Sequence, residues 1–279
     1  MKKLLLIGMS TILLLTGCTS QTDAPESSLP PEFPEEIPEQ IPELFPEEVP
    51  ELTPDPLPEE IPEETPEEEP KESTFTYLKC TASKLTVRSG TSSSTAAIGY
   101  VERGDHLPMV AKSGNWYETR YLGKKGYVHA DYLTPVKITV EKSDYEGALE
   151  TAYDLLGTKY VYGAVRYHDG KGNLLSGFNP KEFDCSSLVQ YAYYIGEGII
   201  LDVNTRTQVK QGMRVDQAQR GDLLYMTNDA RRNKTGIERI GHVGIYLGGN
   251  LMLHTSSDYA KIIEMTSAKW KDVEDVRRM

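Results

Sequence analysis

From residue 74 onward the apolar positions recur with two different periods. Short alternating runs come first: Thr74–Cys80, Leu85–Arg88, Ile98–Val101, Leu107–Ala111, Trp116–Arg120 and Gly126–Val128. Segments rich in Gly, Ser and Thr separate them, as at 89–94 and 123–126. Five or six short strands in about 60 residues predict a small β-barrel over residues 74–136. The period then changes. Ala148, Leu149, Ala152, Leu155 and Leu156 fall on one helical face, with Ser143 and Glu146 spaced as a capping box and Gly157 as the stop. A second helix is predicted from Cys185, with Asp184 as its cap, Leu188, Val189 and Ala192 as its buried face, and Gly196 as its end. Strands follow at 222–226, 242–247, 251–255 and 261–265. A helical half followed by a meander of strands makes residues 137–279 an α+β module.

The first 73 residues follow neither period. Leu4–Leu15 is an apolar run after a basic Met1-Lys2-Lys3. A bilayer span needs about 20 apolar residues, so the run fits a signal peptide over residues 1–17. Its end, Leu15-Thr16-Gly17-Cys18, resembles the lipobox of bacterial lipoproteins. That resemblance implies cleavage before Cys18, a lipid on its sulfur, and a protein anchored to a bacterial membrane outside the cytoplasm. Residues 18–73 read as a tether. Fourteen of the 17 prolines lie between Pro25 and Pro70, and from Pro34 onward one recurs every fourth residue, mostly with Glu between. Such spacing forbids a helix, and the segment is too polar to build a core. A disordered, extended spacer with polyproline-like reach of about 3.1 Å per residue is expected.

The tether also masks the charge of the rest. Residues 23–72 hold 19 acidic residues and one lysine; with Lys2 and Lys3 set aside, residues 73–279 carry +4 although the whole chain carries −12. A mildly basic folded part suits an anionic polymer. There is no basic stripe or nucleic-acid motif, so nucleic acid is not expected as a partner.

The candidate chemistry centres on Cys185. A thiol at a helix N-terminus sits at the positive end of the helix dipole, which favours the thiolate; the alternative is an inert core thiol. His242 opens one strand and His254 ends the next, across a turn at Gly248-Gly249-Asn250. Pairing across that turn places the two nearly opposite, on one face of a hairpin. A thiol, a histidine base and a third polar group that orients the base form the general constellation for nucleophilic catalysis. Cys80 alternates within a strand and reads as a core residue. No disulfide is expected, and no metal or cofactor, since there is no H-E-x-x-H and the three cysteines are far apart.

Two family resemblances sharpen this. Leu85–Gly90, Gly114–Tyr117 and Gly126–Leu133 resemble the signatures L-N-V-R-S-G, G-x-W-x and G-Y-V-x-x-x-Y-L of the bacterial SH3-like domain, which usually binds cell-wall peptides or glycans. Phe183-Asp184-Cys185-Ser186-Ser187, Gly221-Asp222-Leu223, Gly241–Tyr246 and Leu253-His254 resemble, in order and spacing, the NlpC/p60 family of cell-wall cysteine peptidases, which have a papain-like α+β fold.

The second resemblance implies Cys185 as nucleophile, His242 as general base and His254 as orienting group. It implies Tyr160 as an oxyanion contact, and Asp184, Ser186 and Thr205 as substrate contacts. The substrate implied is the peptidoglycan stem peptide, cut between γ-linked D-glutamate and the diamino acid by a monomeric enzyme. Two features depart from the family. Tyr162-Gly163-Ala164 replaces W-G-G, which leaves Tyr162 as a rival to Tyr160. The loop from Ala164 to Phe183, carrying Tyr167, His168, Asp169, Lys171 and Lys181, is longer than usual and implies a modified cleft rim. An inactive wall-binding protein and a thiol amidase or acyl-transferase remain alternatives.

Overall fold

In the computed structural model of the chain, the described residues are 72–279. The expected signal peptide, Cys18 and the tether as far as residue 71 lie outside them.

The first eight strands are β1 (Glu72–Cys80), β2 (Lys84–Arg88), β3 (Ala97–Glu102), β4 (His106–Pro108), β5 (Ala111–Ser113), β6 (Trp116–Tyr121), β7 (Lys124–His129) and β8 (Leu133–Glu141). Alternation accounts for most of them: β6 buries Tyr117, Thr119 and Tyr121 and leaves its other residues half-exposed. The single run expected at 107–111 is instead two strands. Pro108 has no N–H to continue a ladder, and beyond it Met109 N–H bonds Thr76 O at 3.0 Å while Val110 N–H bonds Glu118 O at 2.9 Å. The chain thereby crosses from one sheet to another, with β4 in the first and β5 in the second.

Helix α1 (Glu146–Asp154), β9 (Lys159–Tyr160), β10 (Glu182–Phe183), α2 (Cys185–Glu197), α3 (Thr205–Gln208) and β11 (Met213–Arg214) follow. Then come β12 (Leu223–Met226), β13 (His242–Gly248), β14 (Leu251–Ser256), β15 (Tyr259–Glu264), α4 (Ser267–Trp270) and β16 (Val273–Arg278). One sheet runs β11-β16-β12-β13-β14-β15-β4-β1-β8, with β9 on β15 and β10 on β9; the other runs β3-β2-β7-β6-β5. Strands of the first module therefore extend the sheet of the second, joined where Ile262 faces His106. β8 pairs with β1 along its whole length, from Leu133 opposite Cys80 to Glu141 opposite Glu72. It runs unbroken through residues 136 and 137, where the sequence divides the modules, and β1 begins at Glu72 rather than Thr74. The two modules share one core, from Tyr77, Leu78 and Leu107 through Leu149 and Leu156 to Leu188, Val243 and Leu253.

Both long helices differ from expectation at an end. α1 starts at Glu146, not after Ser143. Its capping-box bond still forms, with Ser143 N–H on Glu146 Oε1 at 3.1 Å, but the same carboxylate is held by Arg220 at 2.6 and 2.8 Å. α2 runs past Gly196 to Gly198, which takes the left-handed conformation (φ 69°). Gly196 is instead a packing site: a Cβ there would lie 2.3 Å from Ala148 N, so the absent side chain lets α1 and α2 touch backbone to backbone.

Candidate active site

The start of α2 is built by Asp184. Its Oδ1 accepts from Ser187 N–H at 2.8 Å, and Ser187 Oγ accepts from Asp184 N–H at 2.9 Å, a complete capping box. Leu188, Val189, Ala192 and Tyr193 bury the helix against the core. Cys185 is therefore fixed at the first helical position, half-buried. The backbone N–H groups of Val243, on β13 one residue after His242, and of Ser186 lower the thiol's pKa.

The hairpin of β13 and β14 brings up the histidines. Ile245 lies opposite Leu253, a register two residues away from direct pairing of His242 with His254. The reason is the turn: Gly249 and Asn250 form it, both at positive φ (55° and 60°), so its centre lies beyond Gly248, and a register irregularity between Tyr246 and Gly248 takes back one residue of the three-residue shift this brings. A slip of two keeps side chains on the same face. The rings meet with His242 Nε2 and His254 Nδ1 2.8 Å apart and their planes at 83°. Because Nε2 of His242 is used here, Nδ1 is its nitrogen left for the thiol. When His242 accepts at Nδ1 and donates from Nε2, His254 carries its proton on Nε2.

Burial dominates the electrostatics. It pushes the Cys185 thiol up to about 12, helped by the Asp184 carboxylate and opposed by the two backbone N–H groups and Arg166. It pushes His242 down to about 4 and His254 well below the ordinary value. Both shifts favour the uncharged forms, so burial acts on the thiol against the helix dipole.

The same burial makes stability acid-sensitive. His106, His168, His242 and His254 are four of the five histidines, and desolvation lowers all four. Folded chains then hold them neutral where unfolded chains protonate them. Stability is full above the unfolded value of about 6.5 and is lost as pH falls toward the folded values, at about 1.4 kcal/mol per pH unit for each such histidine. The melting temperature should therefore fall steadily from pH 7 to pH 5. A melting temperature that holds or rises over that interval contradicts the burial argument.

All the expected site residues line one cavity of about 780 Å³: Cys185, His242, His254, Tyr160, Asp184, Ser186, Thr205 and the rival Tyr162. Tyr160 is half-buried on β9, close enough to Cys185 and Asp184 for their charges to raise its pKa further after desolvation. Tyr162 is 88% exposed. Thr205 opens α3, capped by Asn204, and is buried. The long loop behaves differently from expectation. From Tyr167 onward it packs on the outside of α2, with Tyr167 and Phe178 against Tyr191. Asp169 closes a turn by accepting from Lys171 and Asn173. Only its start reaches the cleft, through Arg166, a residue that sequence reasoning passed over. Arg166 Nη1 lies 2.8 Å from Asp184 Oδ2, and its Nη2 donates to Ser186 Oγ at 2.9 Å. No local pattern marks it, because its partners lie about twenty residues away.

Comparison with known proteins places this geometry. The chain is 27% identical over 151 residues to the gamma-D-glutamyl-L-lysine dipeptidyl-peptidase of Bacillus subtilis, covering 53% of the chain and 44% of that protein. It is 31% identical over 167 residues to the gamma-DL-glutamyl hydrolase of the same organism, covering 56% and 39%. It is 32% identical over 115 residues to the peptidoglycan DL-endopeptidase CwlO of Bacillus licheniformis, covering 40% and 24%. The chain thus spans less than half the length of these curated relatives. Residues 83–134 match the family model of the bacterial SH3 domain, and residues 157–278, which hold Cys185, His242 and His254, match that of the NlpC/P60 family.

Proposed function

We propose that this protein is a peptidoglycan hydrolase: a cysteine endopeptidase that cuts stem peptides between γ-D-glutamate and the diamino acid. The observation that carries the reading is the 2.8 Å bond between His242 and His254 in the same cavity that Cys185 lines. The names of the similar proteins suggest the bond and the substrate class.

The Cys185 thiol passes its proton to His242 Nδ1 as the sulfur attacks the γ-amide carbonyl. His254 Nδ1 accepts from His242 Nε2–H and so favours the imidazolium that forms. The free backbone N–H at the start of α2 and the Tyr160 hydroxyl face the developing oxyanion. His242 then protonates the leaving amine, the C–N bond breaks and a thioester remains. Water attacks the thioester, gives its proton to His242, and the thiol leaves with that proton restored.

The surrounding assignments belong to the same proposal. Cys18 carries a lipid after removal of residues 1–17, the residues between it and β1 serve as a tether, and the protein works outside the cytoplasm as a monomer. The SH3-like part contributes a groove of about 460 Å³ bearing Trp116, His129 and Tyr132 beside Lys84 and Arg88, suited to wall polymer. The test is digestion of defined muropeptides with mass spectrometry of the products. The expected products are a peptide ending in D-glutamate and one starting at the diamino acid. Cleavage at another bond, or none, rejects the reading.

A further inference from the structure

The family resemblance puts Asp184 and Ser186 on positions that hold the substrate's free amine and carboxylate, yet here the carboxylate that would take the amine is already occupied. Each Asp184 oxygen has two donors. Oδ1 accepts from Ser187 N–H at 2.8 Å and Ser186 Oγ at 2.9 Å. Oδ2 accepts from Gly163 N–H at 3.2 Å and lies 2.8 Å from Arg166 Nη1. A carboxylate has about four acceptor positions, so none is left for an incoming ammonium. Ser186 Oγ spends its one proton on Asp184 and accepts from Arg166 Nη2.

Arg166 is not a passing neighbour. Its Nε donates to Val203 O at 2.6 Å, and its Nη1 also donates to Ala164 O. Its side chain is 16% exposed and that of Asp184 is 7% exposed, so the pair is largely withdrawn from water and its charges are weakly screened. A guanidinium has five N–H donors, and these bonds use four. The pair is electrically neutral. A substrate ammonium arriving here would meet a cation and a saturated carboxylate, whereas a carbonyl oxygen would meet one spare N–H.

We propose that Arg166 turns this corner into a site for an acylated, uncharged peptide N-terminus, so that the enzyme acts on stem peptides still joined to the glycan rather than on released peptides with a free amine. This rests on the peptidase reading above and specifies its substrate. It makes Arg166 a specificity-determining residue that the cleft holds ready before substrate binds.

The test compares two synthetic peptides, L-Ala-γ-D-Glu followed by the diamino acid, one with a free N-terminus and one N-acetylated, each made with lysine and with diaminopimelate. The wild-type enzyme should give a kcat/KM on the acetylated peptide at least equal to that on the free one. Arg166→Gln, which leaves Asp184 without its cation, should move the ratio at least tenfold toward the free amine. Arg166→Lys should move it less than threefold. A wild-type preference for the free amine overturns the inference while leaving the peptidase reading intact. An unchanged ratio in a folded Arg166→Gln does the same. Should that variant not fold, the wild-type ratio decides alone. Cleavage of none of the peptides rejects the peptidase reading itself.

Discussion

Cys185→Ala and His242→Ala should each lower kcat/KM for stem-peptide hydrolysis by roughly 10⁴-fold or more, and the double variant should be no worse than either single one. The sulfur and the imidazole act in one step: without the thiol there is nothing to deprotonate, and without Nδ1 there is no acceptor for a thiol that burial holds at about 12. His254→Ala should cost less, because Cys185 and His242 both remain in the cavity and only the orientation of the base is loosened. The pH profile of kcat/KM gives an independent reading. His242 must be neutral to act, and its value in the free enzyme is about 4, so activity should be lost as pH falls through about 4 and stay level across neutrality. Residual turnover within tenfold of wild type in Cys185→Ala would remove Cys185 from the reaction.

The cysteine was legible in the sequence because its position depends on local rules. An Asp cap, a first-turn Cys and an apolar face at 188, 189 and 192 lie within nine residues, and the helix forms where they say. The shared face of the two histidines was legible because strand side chains alternate with period two. Their register was two residues out because direct pairing of 242 with 254 centres the turn at 248, whereas Gly249 and Asn250 form it and Ile245 faces Leu253. On the thiol itself two effects oppose each other: the helix terminus favours the thiolate, while desolvation favours the neutral form and raises the pKa. Position along the helix is written in the sequence; the depth of the cleft around it is not.

Long-range closure explains the other omissions. Nothing near Arg166 announces that its loop folds back on Asp184, or that residues beyond it pack behind α2. Nor does alternation in β1, β4 and β8 reveal that they continue the sheet of the second module, since a half-buried strand has the same pattern whichever sheet receives it. Gly196 reads as a helix stop by its own chemistry, and only the approach of α1 shows that the missing Cβ serves packing instead.

Arg220→Ala should destabilise the folded part by about 3–5 kcal/mol, the usual consequence of removing one partner of a buried ion pair. That corresponds to a fall of roughly 6–20 °C in melting temperature for a unit of this size. Arg220 has a fully buried side chain and spends all five N–H groups. Nε and Nη2 donate to Glu146 at 2.6 and 2.8 Å, Nη1 donates to Tyr77 Oη at 3.0 Å and Leu247 O at 3.1 Å, and Nη2 also reaches Tyr153 Oη at 3.2 Å. Its guanidinium also lies 3.7 Å over the Phe75 ring. Burial works against its charge, but Glu146 and the two tyrosines outweigh that and hold it protonated. β1 of the first module, α1 and β13 thus meet on one side chain, so the loss should lower a single cooperative transition rather than release the SH3-like part alone. Arg220→Met combined with Glu146→Leu should recover part of the loss, because it removes the stranded carboxylate as well. Lys79→Ala breaks only the exposed pair with Glu264 and should change stability by less than about 1 kcal/mol. Differential scanning calorimetry of the four proteins separates the cases. Equal melting temperatures for Arg220→Ala and Lys79→Ala would mean that the modules are held together by their shared sheet and apolar core, with the buried arginine contributing nothing net.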